Sequence, residues 1–347
     1  PSNNQMPSFV FTTNKQGAIS TSISQGFSTN NTAITGSDQT VTFNTLPAGV
    51  YSGETITVTD SAGNASSLTI PTFTIDTTAV ILTQVTPIST LSKDVTPSFV
   101  FTTNKQGAIS TSISQGFYTN NTANTGSDQT VTFNTVPAGI YSGETITVTD
   151  TAGNASSLTI PTFTIDTTAP ILTQVTPIST PSNDVTPSFV FTTNKQGAIS
   201  TSISQGFSTD STAIVGSSKT VTFNTLPAGI YSGETITVTD TAGNASSLTI
   251  PTFTIDTTAV ILTQVTPIST PSNNQTPSFV FTTNKQGAIS TSISQGFSTN
   301  NTASAGSDQI VTFNTLPAGV YSGETITVTD TAGNASSLTI PTFTIDT

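Results

Sequence analysis

The sequence predicts an all-β chain, built as tandem antiparallel β-sandwiches of about seven strands each and arranged as beads in an elongated rod. Three observations carry this expectation. Pro-Ser-Phe-Val-Phe begins at Pro7, Pro97, Pro187 and Pro277, so the sequence repeats with a period of 90 residues. Within each period, short runs alternate apolar and polar residues, as strands buried on one face do, and turn-forming Gly, Pro and Asn separate them. No stretch shows the three-to-four-residue spacing of an amphipathic helix.

A unit of this size is long enough to bury a core of its own. The period places boundaries at 1–77, 78–167, 168–257 and 258–347, with the first unit lacking its first strand. Four full periods would need 360 residues against the 347 present, a 13-residue shortfall that reads as an in-phase window on a longer array.

The second unit shows the elements in order. Residues 80–85 (Val-Ile-Leu-Thr-Gln-Val) are β-branched and apolar and close on Pro87, as a first strand at a sheet edge would. A polar loop at 91–96 follows, and its composition differs between copies. Phe99 and Phe101 then fall on one strand face with Val100 opposite. Asn104-Lys105-Gln106-Gly107 is turn chemistry, so Lys105 and its copies Lys15, Lys195 and Lys285 are expected in solvent. Ile109 to Ile113 alternate as the next strand, and the variable stretch 116–127 is anchored through Phe117. Val131 and Phe133 form a strand that ends at Val-Pro-Ala-Gly, and Ile146 and Val148 form one that runs to Asp150. Gly153 suits a tight connection needing positive φ. Leu158 and Ile160 alternate, then Phe163 and Ile165 do so in the opposite phase, which predicts a bulge or kink at Pro161.

Composition narrows the function classes. The chain has 18 acidic residues against 6 lysines and no arginine, a net charge of −12. Neither nucleic acid nor an anionic bilayer rewards that balance. No apolar run approaches the ~20 residues that span a membrane. Without His, Cys, Trp or Arg, nothing activates the many Ser and Thr hydroxyls, and no enzyme is expected.

Leu46, Gly49 and Tyr51, followed by Thr-Asp-x-Ala-Gly-Asn at 59–64 and Ile-Asp-Thr-Thr-Ala-Pro at 165–170, carry a resemblance. The chain resembles bacterial immunoglobulin-like (Big-type) tandem repeats of large surface proteins and adhesins, over all four units. It departs from some of them in having Phe27 and Glu54 near positions where they carry a Cys pair. Ala-Pro at 169–170 also becomes Ala-Val at 79–80 and 259–260.

The resemblance implies an immunoglobulin-like fold and a corner at Tyr51, Tyr141, Tyr231 and Tyr321 whose hydroxyl bonds back to the crossing backbone. It implies an extracellular, cell-surface location. It also implies Ca²⁺ at domain junctions, with Asp60, Asp76, Asp150, Asp166, Asp240 and Asp256 as candidate ligands. Asp94 and Asp184 would be a third ligand position, replaced by Asn4 and Asn274 elsewhere. By residue chemistry alone, an Asp ahead of a tight turn caps that turn with its own side chain, so both readings stand. Lys–Asn crosslinks of related domains are not expected here, because the lysines read as exposed.

Three functions follow as expectations. The first is a stalk or fibre segment, an extended spacer whose partners are neighbouring repeats. The second is a subunit segment of an extracellular filament, whose partners include other copies. The third is an adhesive module that binds a glycan or protein through the variable loops at 28–40 and their copies, with Tyr118 as the one aromatic available for contact.

Overall fold

The computed structural model describes residues 1–347, and every regular element is a β-strand. The chain divides into two compact units: Pro1–Thr167, which holds the shortened first repeat and the second, and Thr168–Thr347, which holds two complete repeats. No helix is long and apolar enough to cross a membrane.

The second repeat shows the architecture in full. Its opening strand, Leu82–Thr86, pairs antiparallel with Ser98–Thr103, which pairs on its other edge with Gln129–Thr132. The facing sheet orders Thr122–Ala123, Gly107–Thr111, Thr145–Asp150 and Ala155–Thr159. A two-stranded ribbon of Gly139–Tyr141 and Phe163–Ile165 completes the unit. Antiparallel pairing of every strand, with one isolated parallel bridge per repeat (Ser92 with Ile165 here), is the fold of tandem immunoglobulin-like β-sandwiches.

The two inner faces meet in one core per repeat. Phe99, Phe101 and Val131 come from one sheet and Ile109, Ile146 and Val148 from the other; Phe133, Ile160 and Phe163 fill between them. The long core strands bury alternate residues because side chains on a pleated strand point to opposite faces in turn. Ser98–Thr103 thus buries Phe99, Phe101 and Thr103, and Thr145–Asp150 buries Ile146, Val148 and Asp150. Gly107 sits where this second strand approaches most closely, and a Cβ there would lie 2.5 Å from the Thr149 carbonyl oxygen.

The sequence pattern and the structure differ in two places. Each complete repeat has nine strands, the additional ones being Thr122–Ala123 and Gly139–Tyr141, which are too short or too glycine-containing to alternate visibly. Pro161 does not mark a bulge. There the chain leaves the four-stranded sheet after Thr159 and joins the ribbon at Phe163, so the change of phase is a change of sheet. The bulge lies in the opening strand instead, where Thr86 faces Val100 and Gln84 faces Phe101, leaving Val85 as the extra residue.

The ribbon carries the corner. Tyr51, Tyr141, Tyr231 and Tyr321 donate their hydroxyls to the carbonyls of Pro47, Pro137, Pro227 and Pro317 at 3.0, 2.8, 2.9 and 2.9 Å. Each ring stacks on the ribbon phenylalanine opposite, with Tyr141 and Phe163 centroids 5.0 Å apart.

Candidate functional site at the junction between repeats

Within the first unit, the exit of repeat 1 and the near end of repeat 2 meet at a polar joint. Ser2 positions the repeat 1 side: its amide donates to Thr74 O and its carbonyl accepts the Asp76 amide, both at 2.9 Å. The next residue reaches across, the Asn3 amide donating to Ala152 O at 2.7 Å. Asn3 lies over the turn at Gly153, whose φ is +94°; a Cβ on that glycine would stand 3.3 Å from the Asn3 amide group.

Lys105 occupies the centre. Its ammonium donates to Asp76 Oδ2 at 2.9 Å and to Thr78 O at 2.7 Å on the incoming chain, and to Asp150 Oδ2 at 2.8 Å in its own repeat. Asn154 Nδ2 donates both to Asp150 Oδ2 and to the Asp76 carbonyl, at 3.0 and 2.9 Å. The second unit builds the same joint between repeats 3 and 4. There Lys285 lies 2.8 Å from Asp256 and 2.7 Å from Asp330, Asn334 reaches the Asp256 carbonyl at 2.8 Å, and the Asn183 amide bonds Ala332 O at 2.7 Å.

Both expected roles of the aspartates can be checked atom by atom. Asp150 Oδ1 accepts the amides of Ala152 and Asn154, each at 2.9 Å, which caps the hairpin. Asp60 and Asp240 cap their hairpins in the same way. Asp76 and Asp256 spend Oδ1 on the amides of Thr78 and Thr258 at 2.9 and 2.8 Å. Asp166 repeats the backbone arrangement of Asp76, its amide 2.9 Å from Ser92 O. Asp94, Asp184 and Asn274 serve only their local turns, accepting amides two residues on.

This donor set does not suit calcium. No group of three or more carboxylate, imidazole or thiolate side chains converges anywhere on the chain. The positions flanked by two carboxylates at the joints already hold a positive charge, supplied by Lys105 and Lys285. The turn composition suggested solvated lysines, whereas the Lys105 and Lys285 side chains are only 19% exposed. Lys15, with no repeat ahead of it in the structure, keeps Asp60 at 3.0 Å and is 63% exposed.

The electrostatics are those of a fixed ion triad. Hydrogen bonds from Lys105 and from Thr78 hold Asp76 below the usual carboxylate range. Burial pushes Asp150 up, but the hydrogen bonds from Lys105 and Asn154 outweigh it and the carboxyl ends well below that range. Asp256 falls to about 2, chiefly through Lys285. The bond to Asp150, working against desolvation and with Asp76, raises Lys105. Lys105 between two ionised carboxylates makes the triad an ion pair bridging the repeats.

The signal for this site was present in the strand phases. Phe99, Phe101, Thr103 and Lys105 share one parity, as do Ile146, Val148 and Asp150. Extending both inward faces by one step brings the charges together at the end of the sandwich.

The sequence matches no protein-family model and no curated protein. Among solved structures it is similar to the mixed-linkage glucan utilization locus protein SGBP-B of Bacteroides ovatus, at 13% identity and TM-score 0.19, covering 78% of this chain and 71% of that one. It is similar also to elastase-activated Escherichia coli alpha-2-macroglobulin, at 9% identity and TM-score 0.20. The chain covers 98% of its own length in that match but spans only 44% of the macroglobulin. Likeness this distant goes no further than β-rich domains.

Proposed function

We propose that the chain is a spacer: a stalk or fibre segment of a repetitive prokaryotic surface protein of the Big-type immunoglobulin-like kind. The observation that carries this reading is the joint. The residues most specialised in their contacts do not line a cleft for a ligand; they tie one repeat to the next. Asp76 and Asn3 from one repeat, with Thr78, Lys105, Asp150 and Asn154 from its neighbour, make charge-assisted and neutral bonds across a very short connection. Such a joint restricts bending more than a Gly/Ser linker would, as a spacer requires. The reading also takes in the location at the cell surface and the absence of an activity.

The test is Lys105→Gln combined with Lys285→Gln. Distances measured by single-molecule FRET between labels on repeats 1 and 2 should form one narrow population in the parent chain and a broad one in the variant. Equal widths would remove the joint from the account. Saturable binding of the chain to a glycan array or to host cells, abolished by changes in the loops at 28–40, would replace the spacer reading with an adhesive one.

A further inference from the structure

Seven Asn-x-Ser/Thr triplets, the acceptor pattern for sugar on an asparagine amide, occur along the chain. Four are Asn-Ala-Ser, at Asn64, Asn154, Asn244 and Asn334; three are Asn-Asn-Thr, at Asn30, Asn120 and Asn300. The fold treats the two kinds differently.

The Asn-Ala-Ser amides are engaged. Asn154 Nδ2 donates to Asp150 and to the Asp76 carbonyl inside the joint, and Asn334 Nδ2 does the same with Asp330 and the Asp256 carbonyl. Asn64 Nδ2 donates to Asp60 Oδ2 at 3.1 Å, and Asn244 is buried. Each triplet also runs straight into a strand, which holds its serine in a ladder: Ser156 lies opposite Val148, and Ser336 opposite Val328.

The Asn-Asn-Thr amides are not engaged. Asn30, Asn120 and Asn300 are exposed, just ahead of a two-residue strand at the outer edge of the four-stranded sheet. Oδ1 of each accepts the amide of the Thr two residues on, at 3.1 Å, and Nδ2 bonds to no group of the protein. An open hollow lies alongside, about 750 Å³ at Asn30 and about 650 Å³ at Asn120, so a sugar on that nitrogen has room.

Repeat 3 shows that the turn does not need the nitrogen. It has Asp210-Ser211-Thr212 at the same place, and Asp210 Oδ1 accepts the Thr212 amide at the same 3.1 Å. A turn closed through one side-chain oxygen takes Asp or Asn alike.

We propose that Asn30, Asn120 and Asn300 are N-glycosylation sites, modified on the folded chain by a transferase that uses a sugar carried on a polyprenyl diphosphate. Nδ2 attacks the anomeric carbon, and the new N–C bond forms as the bond from that carbon to the diphosphate oxygen breaks. The polyprenyl diphosphate leaves with the electron pair, and Nδ2 gives up one proton. A two-residue edge strand is the part of the sheet most easily lifted toward such an enzyme, whereas Asn154 and Asn334 are reached only by parting a joint. A chain of which only 7% is charged thereby gains a hydrated coat that leaves its joints untouched. This goes beyond the spacer reading and does not rest on it.

Two measurements test the proposal on the full chain. The protein from its producing cells, mapped by peptide mass, should carry sugar at Asn30, Asn120 and Asn300. The folded, sugar-free chain, given a purified transferase that reads Asn-x-Ser/Thr alone and its polyprenyl-diphosphate sugar, should gain sugar at the same three positions. Occupancy at Asn154 and Asn334 should be at least about tenfold lower, because modification there waits on opening of the joint. Short peptides of 116–124 and 150–158 should be modified comparably, which assigns that difference to the fold. Thr122→Val should abolish modification at Asn120 alone, and Asp210→Asn should create a fourth site. The proposal is overturned if the protein from its producing cells carries no sugar at the three asparagines, if folded chain is modified equally at Asn154 and Asn334, or if Asp210→Asn gains none.

Discussion

Lys105 is bonded to three oxygens drawn from two repeats, and its protonation fixes the pH range over which the joint holds. Asp76 and Asp150 have folded-state values below the ordinary 3.8, so their contribution is complete above that value and disappears as pH falls through the lowered ones. Lys105 is raised above 10.5, so its contribution is complete below 10.5 and disappears as pH rises through the raised value. Coupling between repeats 1 and 2 should therefore be flat from about pH 4 to about pH 10. Calorimetric melts across that range should keep one shape for the first unit, and a separate, earlier transition should emerge at either extreme. Deeper in the same repeat, Phe101 is fully buried between the sheets. Phe101→Ala should cost about 3–5 kcal/mol in chemical denaturation, more than any substitution at the joint, because it opens a cavity that its neighbours cannot fill.

Among the elements, the hairpin turns of repeats 1 and 2 form a natural comparison. Gly63 and Gly153 both have positive φ, at +89° and +94°, but only Gly153 lies under a residue of the preceding repeat. Alanine at either position should cost on the order of 1 kcal/mol for the backbone conformation alone. Gly153→Ala must in addition displace Asn3 and so loosen the joint, while Gly63→Ala leaves it intact; the width of the FRET population described above separates the two. At this scale the sequence was informative where strands were long enough to alternate. Phe99 and Phe101, or Ile146 and Val148, declare their inward faces. The two-residue strand Thr122–Ala123 carries no period at all. At Pro161 the reversal of phase was visible, but a local pattern does not distinguish a kink within one sheet from a passage between two. The corner tyrosines were legible because Leu-x-x-Gly-x-Tyr combines a turn with a fixed offset, and their bonds to the proline carbonyls are in place. The joint is masked by turn composition: Asn-Lys-Gln-Gly has the chemistry of a solvated turn, yet Lys105 continues the face of Phe99 and Phe101.

Within each of the two units, cohesion between the paired repeats rests on a cation that the polypeptide itself provides. The expectation that follows differs from that for a calcium-stiffened array. Adding a chelator should leave every melting midpoint unchanged, and added Ca²⁺ should raise none; a rise of several degrees would show a site that the donor geometry does not contain. Salt should act instead. The triads are partly exposed, so raising ionic strength toward 1 M should weaken coupling between repeats well before it affects the cores. Each repeat keeps its own hydrophobic cluster, which separates the two effects: the cores set where a repeat melts, and the joints set whether neighbours melt together.

The lysine at the joint also works as a built-in reporter. An amine reacts with acylating reagents only when unprotonated and accessible; Lys105 and Lys285 are each clasped by two carboxylates and largely covered, whereas Lys15 and Lys93 face solvent. Stretching or bending the array far enough to part Asp76 from Lys105 would free that nitrogen for modification. Brief acetylation of material under tension, followed by peptide mapping, would then leave a permanent chemical record of which joints had opened and in what order.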